Sequence, residues 1–270
     1  MCNYIVRAAS RAGSKHDGLD ANNQDAFGYK FLPDGGLAMV VCDGAGSQQH
    51  SRMGADLVVA KTLKFLTERQ EFGSEQTFAE CVRKFIPQLQ ETLRQKAEEI
   101  EVSVRDLSCT LLALVVRDGR WQAMQLGDGF IVWQEKIDLP YKLGITPMQG
   151  EYPNETFFVP KQNAADLVWT HESEGQPYFV CMSTDGLERL CLKWEGDSSY
   201  PYQPFFDALT EKVQPEDGGQ EYLRCFLADP ELDKKTDDDR TLVCAWLSEF
   251  PIDKENEHAA VRKEEEQLAE

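Results

Sequence analysis

Residues 37–47 read Leu-Ala-Met-Val-Val-Cys-Asp-Gly-Ala-Gly-Ser. The apolar, β-branched content of Leu37 to Cys42 marks a strand. Asp43-Gly44 ends it, and no returning strand comes directly after. Instead Gly44-Ala45-Gly46-Ser47 lead into a helical pattern from Ser51 to Glu68, with Met53, Leu57, Val58, Leu63 and Leu66 at helical spacing. An aspartate at such a place carries its carboxylate on a rigid strand end. The glycine after it lets the chain turn sharply and brings backbone close to a ligand.

Working outward, further strands are expected at Cys109 to Val116, Arg120 to Leu126, Phe130 to Gln134, Tyr178 to Ser183 and Thr241 to Leu247. Short connections between neighbours imply antiparallel pairing, with Phe130 to Gln134 continuing a meander. A second long helical pattern covers about Thr77 to Ile100, where Pro87 is expected to kink or split it. A further helix or pair of helices is expected from Pro204 to Leu227. Antiparallel strands with helices in separate blocks give an α+β layered fold rather than a doubly wound parallel one.

The Asp-Gly pattern recurs, and its meaning depends on the residues after it. Asp34-Gly35 and Asp118-Gly119 each sit between two strand-like runs, so both read as hairpin turns. Asp185-Gly186 comes after YFVCMST and precedes the helical stretch Leu187-Glu188-Arg189-Leu190, which sets it beside Asp43. Asp128-Gly129 is ambiguous, since strand-like sequence lies on both sides. A further acidic group, Asp237-Asp238-Asp239, stands just before the strand TLVCAWL. Carboxylates that converge from adjacent strand ends repel one another unless a cation neutralises them. Oxygen ligands without Cys or His suit Mg²⁺, Mn²⁺ or Ca²⁺. A pair of such ions can lower the pKa of a shared water toward about 7 and aim it at phosphorus. The carboxylates alone would also permit a nucleotide or cyclic phosphodiesterase.

Composition narrows the classes. The formal net charge of −19 argues against a nucleic-acid partner, because phosphate backbones need clustered Lys and Arg. The 41% hydrophobic content is that of a globular chain. No apolar run approaches the ~20 residues that span a bilayer, and the start lacks a basic region leading into an apolar stretch. A cytoplasmic enzyme with no membrane association is expected. The 8 cysteines form no C-x-x-C pairs; Cys42, Cys109, Cys181 and Cys244 lie in or beside apolar runs and read as buried, reduced residues. Domain structure is expected over residues 1–250, with a charged C-terminal tail over 251–270 that includes Glu264, Glu265 and Glu266.

The order of these motifs resembles the metal-dependent protein phosphatase family, the PPM-type or type-2C serine/threonine phosphatases, and looks closest to its bacterial branch. Asn22-Asn23-Gln24-Asp25-Ala26-Phe27 is similar to the N-E-D-A/S-F segment, and Val41 to Ser47 to the apolar-D-G-x-G-G/S segment. Ser108-Cys109-Thr110-Leu111-Leu112 is similar to the G-[ST]-T strand opening, and Leu126-Gly127-Asp128-Gly129 to the G-D-S turn. Ser183-Thr184-Asp185-Gly186-Leu187 matches S-D-G-L, and Asp238-Asp239-Arg240-Thr241 is similar to D-N-x-T. The resemblance runs from about Gly13 to Trp246.

It implies a four-layer α-β-β-α sandwich, two antiparallel sheets flanked by helices, and the hydrolysis of phosphoserine and phosphothreonine in proteins by a metal-activated water. It implies two, and with a weaker site three, Mn²⁺ or Mg²⁺ ions. Asp43 would bridge two ions, and the Gly44 carbonyl would bind one. Asp185 and Asp238 would complete the opposite ion's shell, Asp25 would act mainly through water, and Asp128 would hold the third ion with Asp185. The implied partners are a phosphorylated protein and a cognate serine/threonine kinase. The chain also departs from the family pattern. An Arg that grips the substrate phosphate commonly stands five residues before the position of Asp25; here that residue is Asp20. Arg11, Lys15 and His16 lie upstream as candidates for that grip, and His16 is also the candidate general acid for the leaving oxygen. Ala45 stands where eukaryotic members carry a His, and Gln24 replaces a Glu. His50 reads as a surface residue at the start of a helix. The missing Arg motivates an alternative, a weak or inactive module of this fold that binds a phosphorylated partner.

Overall fold

Leu37–Cys42 is buried along its whole length, so neither face of its sheet there meets water. Leu37, Met39 and Val41 pack into one apolar cluster, and Ala38, Val40 and Cys42 into another on the opposite face. A strand with two dry faces needs a layer on each side, and the computed structural model supplies both. It describes residues 2–16, 23–68, 76–147 and 156–252.

The strands are β1 (Cys2–Arg11), β2 (Ala26–Phe31), β3 (Leu37–Cys42), β4 (Leu111–Arg117), β5 (Arg120–Leu126), β6 (Phe130–Gln134), β7 (Lys142–Leu143), β8 (Trp169–Glu174), β9 (Phe179–Ser183), β10 (Leu192–Glu195), β11 (Ser198–Pro201) and β12 (Arg240–Ile252). The helices are α1 (Ser51–Glu68), α2 (Phe78–Glu99), α3 (Ala164–Leu167), α4 (Glu188–Cys191), α5 (Gln203–Val213), α6 (Gly219–Leu227) and α7 (Pro230–Asp233). One five-stranded sheet has the order β1-β12-β9-β6-β7 and the other β2-β3-β4-β5-β8, while β10 and β11 form a separate hairpin. Every pairing is antiparallel.

Side-chain alternation turns this order into layers. Tyr4, Val6, Met39, Leu114, Met182 and Val243 fill the space between the sheets. The outer face of the β3-containing sheet carries α1 and α2, and that of the β12-containing sheet carries α5 and α6. The result is the expected four-layer α-β-β-α sandwich. No helix among the described residues is long and apolar enough to cross a membrane. Cys42, Cys109, Cys181 and Cys244 are buried and free, as their apolar surroundings imply.

Three expectations change. Phe130–Gln134 does not continue a meander: β5 pairs with β4 and β8, whereas β6 pairs with β7 and β9 in the other sheet. Between them Gly127 adopts φ +109° and the chain crosses from sheet to sheet. Pro87 does not split its helix, and α2 runs through it from Phe78 to Glu99. Pro87 and Arg83 both lie on the exposed face, so water can satisfy the Arg83 carbonyl that the ring leaves unbonded. The last strand, expected at Thr241 to Leu247, is longer at both ends and runs from Arg240 to Ile252. Two Asp-Gly pairs are turns as read: Gly35 has φ +87°, and Asp118 and Gly119 have φ +51° and +70°, the double positive φ of a two-residue hairpin.

Pro87 yields a stability prediction. Pro87→Ala restores a helix N–H at an exposed site without touching the core. It should stabilise the protein by about 1–3 kcal/mol, read from chemical unfolding.

Candidate metal centre

The acidic cluster lies at one end of the seam between the sheets, and each sheet supplies part of it. β3 leads directly into Asp43, β9 leads through Thr184 to Asp185, and the crossing segment between β5 and β6 carries Asp128. One carboxylate oxygen from each of Asp43, Asp128 and Asp185 lies within 4.8 Å of the other two.

Local backbone chemistry fixes Asp43. Its N–H donates to the Thr110 hydroxyl at 2.9 Å, and its carbonyl accepts the Thr110 N–H at 2.8 Å. The next residue has no room for a side chain, since a Cβ on Gly44 would lie 2.6 Å from the Gln24 carbonyl oxygen. Ala45 N–H then donates to the Ser108 carbonyl at 2.9 Å, so the turn is pinned on both sides of Gly44. Asp185 opens a short 3-10 turn, Asp185–Leu187. Asp128 is steadied from behind, where the Gln125 side-chain amide donates to the Gly129 carbonyl at 2.7 Å.

The other expected residues surround this trio. Asp25, just before β2, is buried, and its Oδ2 accepts the hydroxyls of Thr184 at 2.8 Å and Thr241 at 2.7 Å. Asp238 stands outside the three-carboxylate group, with Lys15 Nζ 3.7 Å from its Oδ2. Lys15 belongs to the 3-10 turn Ser14–His16, and its N–H donates to the Asp237 carbonyl at 2.9 Å. Its ammonium lies over the loop after Asp43, where a Cβ on Gly46 would be 2.9 Å from Nζ. Arg11 ends β1 opposite Arg240 and is partly exposed. His16 ends the same turn as Lys15, but its side chain, like the whole of Asp20, lies outside the described residues. His50 directly precedes α1 and is half-buried.

Four residues with no role assigned from the sequence help to build the site. Thr110, Thr184 and Thr241 hold Asp43 and Asp25. Asp239, 4% exposed, accepts the N–H groups of Gly13 at 2.8 Å and Gln24 at 2.6 Å, tying those two residues to the start of β12. Thr184, Thr241 and Asp239 stand in the motifs of Asp185 and Asp238, and Thr110 stands in the Ser108–Leu112 strand opening. A hydroxyl or second carboxylate within those motifs is the signal that points to them.

Crowding raises the proton affinity of these groups. Burial first, then the charges of Asp25, Asp185, Asp128 and Asp238, hold the Asp43 carboxyl well above the usual carboxylate range. Burial also raises Asp25, against the two threonine hydroxyls that favour its charged form. Asp185 is pushed up to about 7 by burial and then by Asp128 and Asp238, with Lys15 opposing. Asp128 is pushed up to about 6, chiefly by burial, with Glu188 and Asp238 adding to it. Asp25 Oδ1, Asp128 Oδ1 and Asp185 Oδ1 are buried without a hydrogen-bond donor. Buried carboxylate oxygens that repel one another and lack donors fit hard divalent cations, and an all-oxygen set selects Mg²⁺, Mn²⁺ or Ca²⁺ over softer metals.

The chain is similar to known proteins in sequence and in fold. The profile of the family described as protein phosphatase 2C matches residues 12–228. The chain is 33% identical over 250 residues to serine/threonine-protein phosphatase 3 of Escherichia coli (strain K12), covering 89% of this chain and 97% of that one. Among solved structures it is similar to the serine/threonine phosphatase Stp1 from Staphylococcus aureus, with a TM-score of 0.63 at 15% identity, covering 90% of this chain and 94% of that one. It is also similar to the catalytic domain of the serine threonine protein phosphatase PstP in complex with 2 manganese ions, with a TM-score of 0.57 at 16% identity, covering 91% and 99% of the two chains.

Proposed function

The chain belongs to the protein phosphatase 2C family, and from that membership we propose that it hydrolyses phosphoserine and phosphothreonine in proteins, in a metal-dependent reaction. The observation that carries this reading is the convergence of Asp43, Asp128 and Asp185 at the sheet seam, with buried oxygens left for a cation.

Asp43, the Gly44 carbonyl, Asp185 and Asp238 would hold the principal Mn²⁺ or Mg²⁺ ions. Asp128 would hold a third ion with Asp185, and Asp25 would orient water at the centre. When bound, such ions supply an acidified water and positive charge beside the phosphoryl group. The rest falls to the chain's own side chains. Lys15 is the best-placed cation for the substrate phosphate, because its ammonium lies over the loop after Asp43 and within 3.7 Å of Asp238. Arg11 and His16 complete the phosphate-gripping set upstream. His16 gives a ring proton to the serine or threonine oxygen as it leaves. The free, buried thiols are what a reducing compartment preserves, and this supports a cytoplasmic enzyme. There it would oppose a serine/threonine kinase in signalling.

The test is phosphate release from phosphoserine and phosphothreonine peptides with Mn²⁺, set against nucleotides and cyclic dinucleotides. Release from the peptides that stops with chelator is the expected result. No release from any phosphopeptide at saturating Mn²⁺ overturns the proposal. Lys15→Met should raise KM for phosphopeptide and weaken inhibition by inorganic phosphate by about tenfold, the scale of one lost charge-assisted hydrogen bond. An unchanged phosphate inhibition constant removes Lys15 from the grip.

A further inference from the structure

Asp25, beside the three-carboxylate cluster, has an elaborate set of hydrogen-bond partners, and they form a closed circuit. Thr184 and Thr241 both approach Oδ2, at 2.8 and 2.7 Å. Thr241 Oγ1 lies 2.6 Å from Ser10 Oγ, and Ser10 Oγ accepts the Asn23 side-chain amide at 2.7 Å. Asn23 Oδ1 in turn accepts the N–H of Asp25 at 2.9 Å. Thr184 Oγ1 also accepts the Thr241 N–H at 3.1 Å.

The chemistry of the groups orients every hydroxyl. An ionised carboxylate only accepts, so both threonines must donate to it. Thr241 has then spent its single proton, and Ser10 must donate to Thr241. Ser10 is free to do so because it accepts from Asn23. All the donors therefore point along one path toward Asp25 Oδ2, the arrangement in which successive hydrogen bonds strengthen each other. Asp25, Thr184, Thr241 and Asn23 are each at most 5% exposed, so water does not compete for the two bonds to Asp25 Oδ2, while Ser10, at the outer end of the path, is half-buried.

The placement of the circuit matters as much as its direction. Asp25 leads into β2 of one sheet. Ser10 and Thr241 belong to β1 and β12 of the other, and Thr184 directly follows that sheet's β9. The bonds thus cross the seam at the end where Asp43 and Asp185 arrive from opposite sheets. They occupy Oδ2 and leave Oδ1 buried and without a donor.

We propose that Thr184, Thr241 and Ser10 are positioning residues that clamp Asp25 Oδ2, presenting Oδ1 to the metal centre while tying the two sheets together where the metal-binding aspartates meet. The clamp deepens the phosphatase reading and rests on it for its link to turnover.

The test uses the full chain and reads Mn²⁺ binding by calorimetry beside kcat and KM. Thr241→Val keeps shape and removes the donor. It should lower Mn²⁺ affinity by about 10- to 100-fold, the usual cost of losing an outer partner of a metal site. The loss should appear in kcat rather than in KM, and Thr241→Ser should restore most of it. Ser10→Ala should weaken binding several-fold in the wild-type background and clearly less beside Thr241→Val, because the part of its effect that runs through Thr241 is then already lost and only its hold on Asn23 is left. A folded Thr241→Val chain with an unchanged Mn²⁺ isotherm overturns the clamp. So does a Ser10→Ala effect of equal size in both backgrounds. If Thr241→Val does not fold, the half-buried Ser10→Ala decides alone, and an unchanged isotherm overturns the proposal. Wild-type turnover reports on the phosphatase reading and the variant isotherms on the clamp, so either can fail while the other stands.

Discussion

Asp43→Asn is expected to remove nearly all activity, with kcat falling on the order of 10³-fold, and at the same time to make the metal-free protein harder to unfold. The two effects have one cause. Asp43 is half-buried and crowded by Asp25, Asp128, Asp185 and Asp238, and each of those carboxylates raises its proton affinity. With cations bound, that concentration of charge is the binding site. Without them it is repulsion in a poorly solvated place. Asparagine keeps the shape, and the turn survives because its anchors to Thr110 are backbone groups of residue 43. The substitution therefore subtracts a charge with little structural change. Phosphate release at saturating Mn²⁺ and calorimetric unfolding in chelator are the two measurements. A variant that loses activity and also melts lower would show that the Asp43 side chain supports the fold rather than straining it.

The opposite signs also show what could be read from sequence. Asp43 and Asp185 were legible because each comes after a strand that is apolar throughout and precedes a turn into helix. Strands buried on both faces, such as β3, β4 and β9, announce themselves by unbroken apolar runs. β1 and β8 do not. β1 mixes Arg7, Ser10 and Arg11 with its apolar residues, and β8 is the sheet-edge sequence Trp-Thr-His-Glu-Ser-Glu, mostly half-exposed. Asp128 stayed ambiguous for a topological reason. Asp-Gly between two strands looks like a hairpin wherever it occurs, and only the pairing partners show that β5 and β6 lie in different sheets. The clamp on Asp25 was hidden for the same reason. Its donors come from positions 10, 184 and 241, and local sequence does not say that they meet.

The second large effect is a pH dependence that metal should suppress. In the metal-free protein Asp128 is pushed up to about 6 and Asp185 to about 7, from the ordinary aspartate value of 3.8. A carboxyl whose pKa rises on folding holds its proton more tightly in the folded state than in the unfolded chain. Between those values the folded state therefore binds more protons, and stability falls as pH rises. The favourable contribution is complete below about pH 4 and is lost as pH passes through 6 and 7. Asp25 and Asp43 shift in the same direction and extend the trend. At about 1.4 kcal/mol per pH unit for each group, and with mutual coupling reducing the sum, the loss between pH 5 and pH 8 should be on the order of 3 kcal/mol. For a chain of this size that lowers Tm by roughly 10 °C in chelator. Saturating Mn²⁺ competes with protons for the same oxygens and favours the ionised forms, so it should flatten or reverse the slope and stabilise most at the alkaline end. A Tm in chelator that is level from pH 5 to pH 8 would mean that the carboxylates do not converge as strongly as their positions at the seam require. The same metal response for Asp43→Asn as for wild type would place the ions elsewhere.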